Sequence, residues 1–285
     1  MLQDINAVGR GLLIVTLELP PITVRHLLVG KLFCCRYRSA CVALFCLWWA
    51  LLSMFHVFPQ IDIDSSRAFY VAECAASAAA IHCGEFPLRS QPTPKLLRAV
   101  FLFLPTTTAL LMLAILAVSA FRRRCIVTVE RIRVLTLSIA ALLVGPYLLV
   151  NVVLKSISGR PRPHETDLFG GHLPFVPAGS FSGSCENNCS FVSGEAAGAA
   201  WVACLIPCLP PRLQPALGPP LLFVALVTPA MRIAFGGHYL SDVILGGLLS
   251  PLVFCAVFAF ANATGFQKNV VSLAENSRSS VAKLP

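Results

Sequence analysis

The chain reads as an all-α protein, a polytopic membrane bundle of about six transmembrane helices in a single domain. Three observations predict this. The composition is 56% hydrophobic and 12% charged, where soluble domains carry about 25% charged residues. Mean hydropathy is +0.77, and apolar runs recur that approach the roughly 20 residues needed to span a bilayer. Basic residues gather beside those runs, as at Arg36-Tyr37-Arg38 and Arg122-Arg123-Arg124. A net charge of +9 would suggest nucleic acid in a soluble protein. No basic motif here has a structural context for it, so no nucleic-acid partner is expected. The charge fits a positive-inside topology and anionic lipid instead.

Residues 1–39 precede the first span as a cytoplasmic or interfacial segment. They look unlike a cleavable signal peptide, because Asp4 and Glu18 interrupt them and Pro20-Pro21 break them. The spans predicted in order are Ala40–Val57, Val100–Phe121, Val134–Leu154, Ala196–Leu209, Leu221–Phe235 and Val243–Ala261, within a core of residues 40–262. The last three carry Pro207, Pro229 and Pro251, which spans tolerate when neighbours satisfy the freed carbonyls. The fourth is short unless it starts near Phe191. The tail, 263–285, is polar and expected to be loose and cytoplasmic.

Arg25, Lys31, Arg36 and Arg38 precede the first span, and five arginines lie between the second and third. This bias puts both termini inside. The outer loops are then Phe58–Arg98, Lys155–Ser190 and Gly236–Asp242. The expected location is the inner membrane, with these loops in the periplasm. Four of 12 cysteines, Cys74, Cys83, Cys185 and Cys189, fall outside. Local pairs, Cys74 with Cys83 and Cys185 with Cys189, suit an oxidising compartment; four free thiols are the alternative. The first outer loop can lie as a helix on the membrane surface, with Asp62 and Asp64 as its start signal.

Three fragments share this outer face: Lys155-(six residues)-Arg162-Pro163, then Ser193-Gly194-Glu195, then Arg232-(five residues)-His238-(three residues)-Asp242. Helix ends meeting at one depth can converge on a ligand. A phosphate monoester carries nearly two negative charges. Arg162 and Arg232 offer forks for its oxygens, and Lys155 a point charge. Ser193 and Gly194 open a helix whose amides favour an anion. A carboxylate at Asp242 can fix the His238 tautomer and leave the other ring nitrogen to attack phosphorus. No metal or other cofactor is required, and the zinc-ligand spacing is missing.

These motifs resemble the signature of the type 2 phosphatidic acid phosphatase family. The resemblance implies a membrane lipid phosphatase acting through a phosphohistidine. It makes His238 the nucleophile and Asp242 its partner, with phosphate bound by Lys155, Arg162, Ser193, Gly194 and Arg232. Three positions depart from it, the first being Val192 in place of a proline. Glu195 stands where the family has the histidine that protonates the leaving oxygen, and Met231 replaces a serine. Glu195 is either that acid or a brace for Arg162 or Arg232. Within the family, the stretches from Phe58 to Tyr70 and from Phe191 to Ala196 are similar to bacterial lipid A 1-phosphatases.

The expected partners are a phosphorylated lipid and the bilayer, with no obligate protein partner. Phosphatidylglycerophosphate, phosphatidate and undecaprenyl diphosphate are alternative substrates. Lipid phosphotransfer, or binding and transport without turnover, are alternative functions. Outside the motifs, Arg160 reads as a contact to a second phosphate or sugar, or as a solvated cation. His164 and His172 flank the site as candidate head-group contacts, and His56 reads as a packed or interfacial histidine.

Overall fold

The computed structural model describes residues 22–72, 84–121 and 128–264, with side chains from 37 onward. The expected pair Cys74–Cys83, His82, Arg122 to Arg124, the first 21 residues and the tail from 265 lie outside them.

Helix α1 (Ile22–Val57) is followed by the short α2 (Gln60–Arg67) and α3 (Pro87–Ser90), then by α4 (Pro92–Phe121). Helix α5 (Val129–Leu142) continues through a wider-wound stretch, Leu143–Leu154, into α6 (Lys155–Ile157). After a long loop come α7 (Gly194–Cys204), α8 (Gln214–Ala234) and α9 (Leu240–Ala263). Among the described residues five segments are long and apolar enough to cross a membrane: Tyr37–Val57, Pro92–Phe121, Val129–Ile157, Gln214–Ala234 and Leu240–Ala263. The sixth, Gly194–Cys208, is shorter, as its composition allowed. Helices begin before the hydropathy limits, at Ile22, Pro92 and Gln214, because a helix can run past its apolar stretch into segments carrying charged residues or proline, which an apolar window leaves out. Among the described residues, strand pairing is confined to isolated bridges, Val71 with Glu85 and Thr166 with Leu173.

Helix α9 is the centre of the bundle. Its Leu245, Leu249 and Val253 pack with Trp48 and Phe55 of α1 and Val150 of the wide stretch. Further along, Phe254 and Phe258 pack with Trp201 of α7 and Leu137 of α5. Lipid is as apolar as leucine, so close backbone approach matters more here than area removed from water. Helix α7 supplies small residues for it: Ala196, Ala197, Gly198 and Ala199 are all buried. A Cβ on Gly246 of α9 would stand 2.5 Å from the Ser193 carbonyl oxygen, so that glycine sets the α7–α9 spacing. Both buried indoles find acceptors, Trp48 Nε1 on Leu245 O at 3.0 Å and Trp201 Nε1 on Ser138 O at 2.8 Å. The outer surfaces of α4 and α8 expose Phe103, Leu110, Leu111, Phe223 and Leu226, as lipid-facing helices do.

The wide stretch contains Pro146, which has no N–H to donate. Asn151 Nδ2 bonds the Pro146 carbonyl at 2.9 Å. Such widened turns recur at functional sites, and this one forms a wall of the cavity described next.

Candidate active site

The three sequence fragments meet at one end of the bundle. Lys155 opens α6, Arg162 follows it in the loop, Ser193 caps α7, Arg232 stands in the last turn of α8, and His238 and Asp242 flank the start of α9. A cavity of about 500 Å³ opens there, with Lys155, Arg162, Gly194, Glu195, Arg232 and His238 on its wall. Ser193 and Asp242 are absent from that wall.

His238 is buried, and its Nδ1 lies 2.8 Å from the Ser190 carbonyl oxygen. That acceptor fixes Nδ1 as the protonated nitrogen and leaves Nε2 with a lone pair. Burial pushes the imidazole down to about 4, so it is neutral at physiological pH. Asp242 is not the direct orienter that the spacing suggested: its Oδ2 is 3.8 Å from Nδ1. Asp242 acts one residue removed, accepting Ser190 Oγ at 2.5 Å and the Tyr239 N–H at 3.0 Å.

Behind this pair lies a buried ion cluster. Arg160 donates from Nη1 to Asp242 Oδ1 at 2.6 Å and from Nη2 to Asp62 Oδ2 at 2.8 Å, and all three side chains are 0% exposed. Its Nε bonds Val176 O at 2.8 Å, and its guanidinium lies over the Tyr239 ring. Asp62 also takes the Ser241 N–H at 2.8 Å and hydroxyl at 2.6 Å. Arg160 is therefore neither a solvated cation nor a head-group contact; its donors are spent inside the fold. Asp62 does sit in the first turn of a short helix, as expected, but its carboxylate holds α2 against the start of α9.

The cations on the cavity wall have their own supports. Arg162 donates Nε and Nη2 to Asn188 O at 3.1 and 2.9 Å, and Lys155 Nζ reaches Asn188 Oδ1 at 3.2 Å. Asn188 takes φ +50°, which asparagine tolerates. It sits inside the loop closed by the Cys185–Cys189 disulfide, the local pairing expected. Arg232 lies against Gly237, where a Cβ would come within 2.6 Å of Nη2.

Ser193 differs from its expected role as a phosphate ligand. Its hydroxyl accepts the Ala196 N–H at 3.3 Å, and its own N–H goes to Asp242 O at 2.9 Å. It caps α7 and ties that helix to α9. Gly194 keeps its place on the wall, and a Cβ there would meet Asn151 Oδ1 at 2.4 Å. Glu195 pairs with Arg232, as the brace reading allowed, and also with Arg98 of α4. His164 bonds Gly236 O at 2.7 Å and faces a smaller neighbouring cavity with Arg89. His56 bonds Ala178 O at 2.9 Å, as a packed histidine would.

The sequence reading missed Ser190, Asp62 and Arg98 as parts of this site. A charge just inside an apolar span was the available signal for Arg98. Ser190 and Asp62 had none, since their partners lie 52 and 98 residues away.

A neutral buried imidazole facing a cationic cavity, at one end of helices long and apolar enough to cross a membrane, fits a membrane phosphatase as the class of protein. The family pattern and the sequence relatives agree with it. The pattern of the PAP2 superfamily matches residues 131–266. A lipid A 4'-phosphatase of Rhizobium leguminosarum is 49% identical over 79% of this chain and 98% of its own length. One from Rhizobium etli is 49% identical over 81% and 91%, and one from Francisella tularensis subsp. novicida is 33% identical over 41% and 49%. The crystal structure of a transmembrane PAP2 type phosphatidylglycerolphosphate phosphatase from Bacillus subtilis superposes with a TM-score of 0.49 at 22% identity, covering 80% of this chain and 96% of that one. The chain belongs to the PAP2 superfamily and is a membrane lipid phosphatase.

Proposed function

We propose that the chain removes a phosphate from lipid A through a phosphohistidine at His238. One observation carries this. The cavity is cationic where His238 lies, with Lys155, Arg162 and Arg232. It then runs on as an apolar groove past Phe101, Leu102, Leu110, Leu142, Leu143 and Tyr147. A phosphate head and an acyl chain fit the two ends. The relatives' names support lipid A. They favour its 4'-phosphate over the 1-phosphate suggested by the sequence resemblance.

In the reaction, Nε2 of His238 attacks phosphorus while the bond from phosphorus to the sugar oxygen breaks and that oxygen takes up a proton from solvent water. Arg162, Arg232, Lys155 and the Gly194 and Glu195 amides at the start of α7 stabilise the equatorial charge. Water then attacks phosphorus, the N–P bond breaks, and inorganic phosphate leaves. Asp242, through Ser190, and the Ser190 carbonyl stabilise the imidazole as it gains positive charge. We place the site on the periplasmic side of the inner membrane, on the strength of the loop charges and the Cys185–Cys189 disulfide.

The test is phosphate release by detergent-purified protein, with EDTA present, from bisphosphorylated lipid A, phosphatidylglycerophosphate, phosphatidate and undecaprenyl diphosphate. Phosphorus NMR of the lipid A product assigns the position lost. Loss of the 4'-phosphate is expected; loss of the 1-phosphate moves the position. Release from another lipid alone overturns the substrate.

A further inference from the structure

Glu195 is the least explained charge in the cavity. Its Oε1 accepts Arg98 Nη2 at 2.6 Å, its Oε2 accepts Arg98 Nε at 3.1 Å, and Oε1 lies 3.4 Å from Arg232 Nε. The Glu195 side chain is 11% exposed and that of Arg232 4%, whereas Arg98 is 35% exposed. Arg98 comes from α4, outside the three motif fragments in sequence, yet it lines the same cavity as Lys155, Arg162, Arg232 and His238.

Charge and hydrogen bonding both bear on its role. Charge comes first. A carboxylate placed among phosphate-binding cations cancels one of them and repels a nearly dianionic ligand. With Lys155, Arg162 and Arg232 alone, Glu195 would leave a net charge of +2; Arg98 restores +3, as for those three cations beside a neutral residue. Hydrogen bonding comes second. Both Glu195 oxygens accept from guanidinium N–H groups, and a carboxyl used that way carries no proton to give a leaving oxygen. The fork pairing is instead the geometry that fixes a guanidinium in place. It occupies Nε and Nη2 of Arg98 and leaves Nη1 for a phosphoryl oxygen.

We propose that Arg98 is a phosphate-binding residue of this site, and that Glu195 is the positioning residue that holds Arg98 and Arg232 towards the phosphoryl group. The proposal rests on the phosphatase reading above and adds one ligand from outside the motifs. It assigns Glu195 the bracing role, with the acid role as the competing outcome.

The test uses the full chain in detergent, with two readouts. One is inorganic phosphate binding by calorimetry, which needs no turnover; the other is kcat and KM for lipid A. Arg98→Ala is expected to weaken phosphate binding and raise KM about tenfold or more, the scale of one charge-assisted contact. Arg98→Lys, which keeps the charge and loses the fork, falls between. Glu195→Gln is expected to shift the same two quantities by a smaller factor. Because Glu195 acts through the arginine, Arg98→Ala/Glu195→Gln is expected to be no worse than Arg98→Ala alone. Melting curves confirm that each variant folds, and Arg98→Lys serves if Arg98→Ala does not.

Unchanged phosphate binding and KM in a folded Arg98 variant overturn the proposal. So does a collapse of kcat in Glu195→Gln with KM and phosphate binding intact, which is the signature of an acid. If wild type binds phosphate in an Arg98-dependent way but turns over no lipid, the phosphatase reading fails and this assignment stands.

Discussion

Replacing Arg160 by methionine removes the cation at the middle of the buried cluster while keeping much of its volume. Arg160 bonds Asp242, Asp62, Ser241 and Val176 at 2.6 to 2.8 Å, and none of these charges reaches solvent. Removing one member of a buried pair costs about 3–5 kcal/mol, because the partner stays behind uncompensated. Here two carboxylates stay behind, so the upper end is expected. For a chain of this size that corresponds to a fall of roughly 10–20 °C in melting temperature, at about 2–4 °C per kcal/mol. The assay is a detergent melt followed by phosphate release at a temperature where both proteins are folded. Activity is expected to fall as well, because Asp242 loses the partner that fixes its carboxylate beside Ser190. Adding Asp62→Asn should recover part of the loss, since it removes one stranded charge. Burial pushes the Asp62 carboxyl up, against the downward pull of Arg160. In the variant it protonates first as pH falls, so the defect shrinks in acid. A folded Arg160→Met protein melting within about 2 °C of wild type would refute the argument.

Three further outcomes are expected. Because burial holds His238 down to about 4, its ring signals in NMR should stay those of a neutral imidazole as pH falls through 6.5 and change only near 4. Stability should decline across that same window, where the unfolded chain binds the extra proton; a ring titration at 6.5 would contradict this. Cys185→Ser/Cys189→Ser should release Asn188, the shared support of Lys155 and Arg162. A rise in KM of roughly threefold to tenfold is expected, equivalent to about 1 kcal/mol; an unchanged KM would show that the loop holds its shape unaided. Gly237→Ala places a methyl 2.6 Å from Arg232 Nη2. Activity should fall about tenfold, or 1.4 kcal/mol, with the melting temperature nearly kept, and full activity would mean that the guanidinium is free to shift.

The spans and the cationic cavity were legible because they are local properties. A run of apolar residues makes a helix whatever packs on it, and Lys155, Arg162, Arg232 and His238 stand at helix ends that hydropathy already brings to one side. The second layer was not legible. Arg160 lies two residues from Arg162, and only the approach of α2 and α9 decides that it turns inward to Asp62 and Asp242. Spacing alone made Asp242 the direct partner of His238; the 3.8 Å gap is filled by Ser190, whose place depends on its N–H bonding Arg160 O at 2.8 Å. Arg98 needed α4 and α7 to be side by side before its meeting with Glu195 could be read.

The central claim is that His238 carries the phosphoryl group. Its most direct test is a rapid quench of the protein with lipid A labelled in its phosphates, followed by mapping of the labelled peptide. An acid-labile, base-stable label is expected on the peptide containing His238, and neither label nor phosphate release in His238→Ala. Steady phosphate release from folded His238→Ala, or a label on any other residue, would contradict it.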